Sequence, residues 1–205
     1  MLLDERGEVV ASGIIASIIA KSLLEKHPGS SFIGNVVTSH IFRDTVESLG
    51  GTYIEEKVGH AYIREHMKHD PKIIFAGEHS AHYFFRENYC IDSGILMGMM
   101  ILDMMKTEGK KLSELAKEYE TYVSLEETNF TVADVTAKIH QLTEVFHDEK
   151  QSTHDGLTVS YPDGSWWNVR PSSNEPLLRL NLEAKTQERF DELYTMVMGN
   201  IQEKK

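Results

Sequence analysis

Apolar positions along the first 120 residues alternate between helical and strand rhythms. Ile15, Ile19 and Leu23, with Ile14 and Ile18 beside them, recur at helical spacing; Ser12 can cap this helix and His27-Pro28-Gly29 stops it. Residues 31–37 read as a buried strand, and residues 39–49 as a helix that turns Ile41, Phe42, Thr45, Val46 and Leu49 inward before the break at Gly50-Gly51. A strand over 52–55, a helix over 60–69 and a strand over 72–76 follow, and this alternation predicts an α/β layer sheet. Asp92 or Ser93 can cap a helix over 95–105 that is apolar nearly all round and therefore predicted to be buried. Residues 112–119 predict a short surface helix.

The rhythm changes near Tyr122. Val132, Val135, Ile139, Leu142 and Phe146 form a helical stripe with Thr131 and Asp134 placed as a capping box, and the polar residues 148–155 read as a linker or loop. Residues 156–161, 166–169 and 176–182 predict antiparallel strands, the first two joined by the turn Pro162-Asp163-Gly164. A closing helix carries Phe190, Leu193, Tyr194, Val197 and Ile201, so this part is an α+β module. At the start, Leu2-Leu3 and Val9-Val10 flank Asp4-Glu5-Arg6-Gly7 as the arms of a hairpin that needs a sheet to join, and they suggest an upstream domain of which this is a remnant. The expected division is a hairpin over 1–11, an α/β domain over 12–125 and a smaller α+β domain with an antiparallel sheet over 126–205.

Composition narrows the classes of function. The 205 residues, 40% hydrophobic and 26% charged, describe an ordinary globular chain with room for one large domain or two small ones. A net charge of -11 argues against a nucleic-acid surface, leaving only a local cationic site to hold an anion. Cys90 is the single cysteine, so no intrachain disulfide forms and a reducing, cytoplasmic setting is expected. The longest apolar run, 94–102, ends at Asp103 and is too short to span a bilayer, and the start MLLDERGEVV lacks the features of a signal peptide.

Three polar loops carry the candidate chemistry. GEHSAHYFFR (77–86) offers Glu78 and Ser80 as acceptor and donor for vicinal sugar hydroxyls and His82 as an acid or base near neutral pH. Glu78, His79 and His82 can alternatively be metal ligands, although no matched second pair stands at metal-site spacing. KVGH (57–60) sets Lys57 and His60 around a glycine at a helix start, which suits an anionic or hydroxyl-rich ligand and equally suits a plain helix entry. RPSSNEP (170–176) combines the Arg170 guanidinium, the Ser172 and Ser173 hydroxyls, the Asn174 amide and a run of small residues whose backbone N–H groups can converge. That is equipment for a phosphate, with Arg179 adding charge; the alternative is a solvated hairpin turn. His66 and His69 stand three apart on a helix, as metal ligands or as part of a solvated face.

Taken together, KVGHAYIRE, GEHSAHYFFRENYCIDSG and RPSSNEPLLRLNLEA, in this order and at these separations, resemble the α-D-phosphohexomutases, in particular bacterial phosphomannomutase/phosphoglucomutase. MLLDERGEVVASG is similar to the family's segment after its metal loop, so the resemblance covers essentially the whole chain. It implies a mixed-sheet α/β layer domain, the third of four around a cleft, followed by a fourth, antiparallel α+β domain. It also implies phosphoryl transfer between O6 and O1 of a hexose through a bisphosphate. By the same resemblance Glu78 and Ser80 contact the sugar O3 and O4 hydroxyls, and His60 and His82 line the cleft as catalytic, proton-handling groups with Lys57 near them. Arg170, Ser172, Ser173 and Asn174 clamp the phosphate that stays in place, supported by Arg179. The loop departs from the family's usual RPSNTEP at Ser173 and Asn174, which removes a Thr hydroxyl and leaves an amide.

Mg²⁺ and hexose 1,6-bisphosphate are implied for the full-length enzymes, and no cofactor is expected in this chain. The family's phosphoserine loop, T-A-S-H-N-P, and its metal loop, D-G-D-x-D-R, are absent from the sequence; Thr38-Ser39-His40 imitates the first but is followed by Ile41-Phe42. The expectation is a C-terminal portion of such an enzyme that binds mannose or glucose phosphate and is inactive alone, with neither nucleic acid nor membrane as partner. A stand-alone phosphosugar-binding module, and one half of a split mutase whose N-terminal half is another chain, are the alternatives.

Overall fold

A computed structural model describes residues 2–172 and 175–202. The chain divides after Thr121 into two compact units. In the first, β1 (Leu2–Leu3) and β2 (Val9–Val10) pair antiparallel as a two-stranded sheet of their own. Its turn is held by Asp4, whose carboxylate accepts from the backbone N–H groups of Arg6 and Glu8 and from the Arg6 guanidinium. Val10 is buried in the core beneath helix α1 (Ser12–Lys26). Ser12 does not cap that helix: Ala11 occupies the cap position, and the Ser12 hydroxyl donates instead to the His79 carbonyl at 2.8 Å.

The order then runs β3 (Ser31–Asn35), α2 (His40–Ser48), β4 (Thr52–Glu56), α3 (His60–His69), β5 (Ile73–Gly77), β6 (Tyr83–Phe85), a 3-10 turn (Arg86–Asn88), β7 (Ile91–Asp92), α4 (Gly94–Glu108) and α5 (Leu112–Lys117). The sheet order is β4-β3-β5-β6-β7. β4, β3 and β5 are parallel because α2 and α3 supply the crossovers that parallel neighbours require. β5, β6 and β7 are antiparallel because short loops join them, so the sheet is mixed. On one face Phe32, Phe75, Tyr83 and Phe85 pack with α1, α4 and α5; on the other Ile33, Ile73, Ala76 and Phe84 pack with Ile63 and Met67 of α3.

Two expectations change here. Helix α4 is not buried all round: Met97, Ile101 and Met104 face the core, whereas Ile95, Met99 and Leu102 are exposed, because the helix covers α1 along one side only. The short helix α5 is not a surface helix throughout, since Leu112, Leu115 and Ala116 are buried.

The second unit consists of β8 (Val123–Thr131), α6 (Val135–Val145), β9 (Lys150–Ser152), β10 (Leu157–Ser160), β11 (Trp166–Pro171), β12 (Leu177–Ala184) and α7 (Gln187–Ile201). Its five strands are antiparallel in the order β8-β12-β11-β10-β9. Leu142 and Phe146 of α6 and Leu193, Val197 and Ile201 of α7 close the core over Val159, Trp167, Val169, Leu178 and Leu180. Thr131 ends β8 and is not part of a capping box; Asp134 alone caps α6, accepting from the Ala137 N–H at 3.0 Å. The polar segment 148–155 contributes β9 to the sheet edge. No helix among the described residues is long and apolar enough to cross a membrane.

Candidate functional site

The first unit gathers its polar side chains at the carboxyl ends of the parallel strands, where open α/β sheets commonly hold ligands. β3 ends on Asn35, β4 leads into Lys57, and β5 leads into Glu78. Residues 78–82 form the tight connection between β5 and β6. The Glu78 N–H donates to the His82 carbonyl at 3.0 Å and the Ala81 N–H to the Glu78 carbonyl at 3.0 Å. Ala81 sits at φ 62, the left-handed position that such hairpin loops usually give to glycine.

This turn drives the Glu78 carboxylate inward, leaving it 2% exposed. Its Oε1 accepts from Asn35 Nδ2 at 3.2 Å. Its Oε2 has no hydrogen-bond partner and lies 3.3 Å from His60 Nε2 and 3.9 Å from His82 Nδ1. The two imidazoles meet at 4.4 Å between ring centres, and His60 also sets its edge against Phe84. Both rings are about half exposed, and the Ser80 hydroxyl lies 2.9 Å from His82 Nδ1. The result is a buried carboxylate at the base of an open cluster of two imidazoles and a hydroxyl.

Of the residues singled out in the sequence, Glu78, Ser80, His82 and His60 come together. His79 does not join them: its Nδ1 lies 3.1 Å from Asn35 Nδ2. The three donors within reach of one cation are therefore His60, Glu78 and His82, not Glu78, His79 and His82. Lys57 lies on the loop into α3, its ammonium 5.9 Å from the centre of the Tyr62 ring. Gly59, at φ 142, caps α3 and lets His60 begin it; a side chain there would be strained. His66 and His69 each have local partners: His66 Nδ1 is 3.0 Å from Glu56 Oε2, and His69 Nδ1 is 2.8 Å from the Glu65 carbonyl.

Asn35 is the residue that the sequence reading passed over. It is buried, and Thr38 fixes it: the Thr38 hydroxyl donates to Asn35 Oδ1 at 2.9 Å and accepts from the Asn35 N–H at 3.0 Å. The available signal was a polar residue closing an otherwise buried strand. Ser39, next along, accepts from the Ile41 N–H as the cap of α2.

In the second unit Arg170, at the end of β11, stands across from Arg179 on β12. Both guanidinium groups converge on Glu127 of β8, Arg170 Nη2 at 2.7 Å and Arg179 Nη1 at 2.6 Å. Arg179 Nη2 donates to the Ser172 hydroxyl at 2.9 Å, and the Ser172 N–H donates to the Leu177 carbonyl. The Arg170 side chain is 5% exposed, and Nε of each arginine is buried without a partner. One carboxylate thus holds two guanidinium groups side by side at this end of the sheet. Ser173 and Asn174, expected to complete the loop, lie outside the described residues. Glu127 was not foreseen because β8 itself was not.

The chain matches two sequence models of one family. Residues 12–122 match the one described as phosphoglucomutase/phosphomannomutase, alpha/beta/alpha domain III, and residues 127–199 the one described as phosphoglucomutase/phosphomannomutase, C-terminal domain. It is 38% identical over 191 residues to a phosphomannomutase of Methanocaldococcus jannaschii, covering 93% of this chain and 42% of that one. An X-ray structure of a phosphoglucomutase/phosphomannomutase family protein from Burkholderia thailandensis shares the fold with a TM-score of 0.82 at 23% identity, over 97% of this chain and 43% of that one. The N-acetylphosphoglucosamine mutase of Aspergillus fumigatus, solved with GlcNAc-6P and magnesium, gives a TM-score of 0.67 at 13% identity, over 98% of this chain and 49% of that one. The chain thus spans less than half the length of the relatives it matches.

Proposed function

The chain belongs to the phosphoglucomutase/phosphomannomutase family, as its domain III and C-terminal domain, and from that premise we propose that it is the substrate-recognition portion of a hexose-phosphate mutase. The observation that carries this reading is the Glu78 carboxylate, buried on Asn35 yet with one oxygen unsatisfied beneath His60, His82 and Ser80. A buried acceptor of that kind favours a ligand hydroxyl that can donate to it, because an unpaired buried oxygen is costly. Glu78 accepts from a sugar hydroxyl, Ser80 exchanges a hydrogen bond with a neighbouring one, and His60 and His82 hold or move protons at the same ring. Lys57 adds positive charge on the α3 side.

Arg170, Arg179 and Ser172 supply the phosphate contacts, with Ser173 and Asn174 assigned to the same loop by the family pattern. Arginine suits this role because its planar fork meets two phosphate oxygens at once. By the family pattern the ligand is a mannose or glucose phosphate, which carries both hydroxyls and a phosphate.

Phosphoryl transfer needs a nucleophile and groups that neutralise the transferring oxygens. The full-length enzymes are assigned a phosphoserine, Mg²⁺ and a bisphosphate for this. The described residues do not fit Mg²⁺: their group of three close metal-ligating side chains is two imidazoles and one carboxylate, whereas Mg²⁺ takes oxygen ligands. The 205 residues by themselves are assigned binding without turnover, because neither the phosphoserine motif nor the metal motif occurs among them. A coupled mutase assay with mannose 1-phosphate, Mg²⁺ and the activating bisphosphate tests this: no product above background is expected from the chain alone. Product at more than a trace rate contradicts the assignment.

A further inference from the structure

We infer that His60, Glu78 and His82 also form a binding site for one zinc-class cation, which competes with sugar. Their donor atoms all lie within 4.8 Å of one another. In a tetrahedral zinc site with bonds of about 2.0–2.1 Å, donors stand about 3.3 Å apart. His60 Nε2 and Glu78 Oε2 are already at 3.3 Å, and the 3.9 Å between His82 Nδ1 and the same oxygen closes by a small turn of a half-exposed side chain. Two imidazoles with one carboxylate select zinc, cobalt or nickel over magnesium or calcium.

The independent sign of a ligand is the carboxylate. Glu78 is 2% exposed, and its Oε2, aimed between the two rings, has no hydrogen-bond partner. A cation there satisfies that oxygen. The surroundings hold the ligands as outer partners of metal sites do. Asn35 grips the other carboxylate oxygen, Thr38 grips Asn35, and Phe84 abuts His60, while the Ser80 hydroxyl, 2.9 Å from His82 Nδ1, gives up that contact when the nitrogen binds the cation. The positive end of α3 opposes a cation, but this effect is small beside three coordinate bonds. The exposed side of both rings leaves the remaining coordination positions to water.

Occupancy by the cation removes the Glu78 oxygen and both imidazoles from the sugar. Competition rests on the sugar-recognition reading given above; the binding of the cation does not. Titrating the untagged 205-residue chain with zinc chloride in a calorimeter is expected to show one saturable equivalent. His60→Gln and His82→Gln should each weaken it by at least about tenfold, as loss of a ligand or its support does. His66→Gln, which alters a histidine outside the cluster, should leave it unchanged. Cobalt in place of zinc gives a visible absorption band from the wild-type chain that does not depend on how the variants fold. No saturable zinc binding, or binding indifferent to both cluster variants, overturns the site. Zinc should also abolish hexose-phosphate binding; simultaneous binding of both overturns the competition. A chain that binds zinc but no phosphosugar in zinc-free buffer defeats the sugar reading and leaves the cation site standing.

Discussion

Ala81 and Glu127 show how much a single residue decides in this chain. Ala81 holds a left-handed backbone conformation, φ 62, in the turn that buries Glu78, and such strain in a non-glycine residue costs on the order of 1 kcal/mol. Ala81→Gly should therefore raise the stability of the first unit by about 0.5–1 kcal/mol in urea unfolding. Glu127 bridges the two arginines of the second unit. Removing one partner of a buried ion pair leaves the other uncompensated, at about 3–5 kcal/mol when both are fully buried. Glu127 is 20% exposed and Arg179 26%, so Glu127→Ala should cost about 2–3 kcal/mol. A double-mutant cycle with Arg170→Met should recover much of that cost; additive losses would show that the two do not act as a pair. At this scale the sequence was legible where a residue type sits in a local pattern, as Glu78, Ser80 and His82 do. It was silent about Asn35, whose role arises from a contact 43 residues away in the chain.

At the scale of elements, one side chain ties the end of α3 to the sheet. Arg86, just after β6, donates to the carbonyls of Met67 and Asp70 at the end of α3 and to that of Ile73 at the start of β5. This clamp adds to the packing of Ile63 and Met67 in holding the helix that begins with His60. Arg86→Met keeps much of the aliphatic stem but strands those carbonyls, and should destabilise the first unit by about 2–3 kcal/mol. Helices α1 and α4 are tied by Lys21 and Glu108 at 2.7 Å. The hydrogen bond and charge of Lys21 hold the Glu108 carboxyl below its ordinary 4.5. A carboxyl whose folded value is depressed contributes stability that is complete above its unfolded value and is lost as pH falls through the folded one. The urea midpoint should accordingly fall as pH drops below 4.5, and Lys21→Met should flatten that dependence.

Most helices and buried strands of the fold could be read from apolar spacing, because those residues carry the core. Strand β8 could not, for a physical reason. Leu182 pairs with Leu125, but Leu180 pairs with Thr128, so an irregularity in β8 shifts its register. The inward positions change from Val123 and Leu125 to Thr128 and Phe130, and the strict alternation that marks a strand is lost. That same irregularity falls next to Glu127, where a bulge re-aims side chains. The exposed stripe Ile95, Met99 and Leu102 misled in the opposite sense, since an apolar residue need not be a buried one.

For the whole molecule, both units carry a polar loop between strands of a sheet, and neither the phosphoserine nor the metal motif of the family occurs in the 205 residues. The function proposed for this chain is recognition of a hexose phosphate, with the hydroxyl contact assigned to Glu78 and the phosphate contact to Arg170. The most direct test is calorimetric titration of the wild-type chain, Glu78→Gln and Arg170→Ala with mannose 1-phosphate. Saturable binding by the wild type is expected, with a loss of about tenfold or more in each variant, the scale of a lost charge-assisted hydrogen bond. Absence of binding by the folded wild-type chain at millimolar ligand, or affinity unchanged in both folded variants, would contradict it.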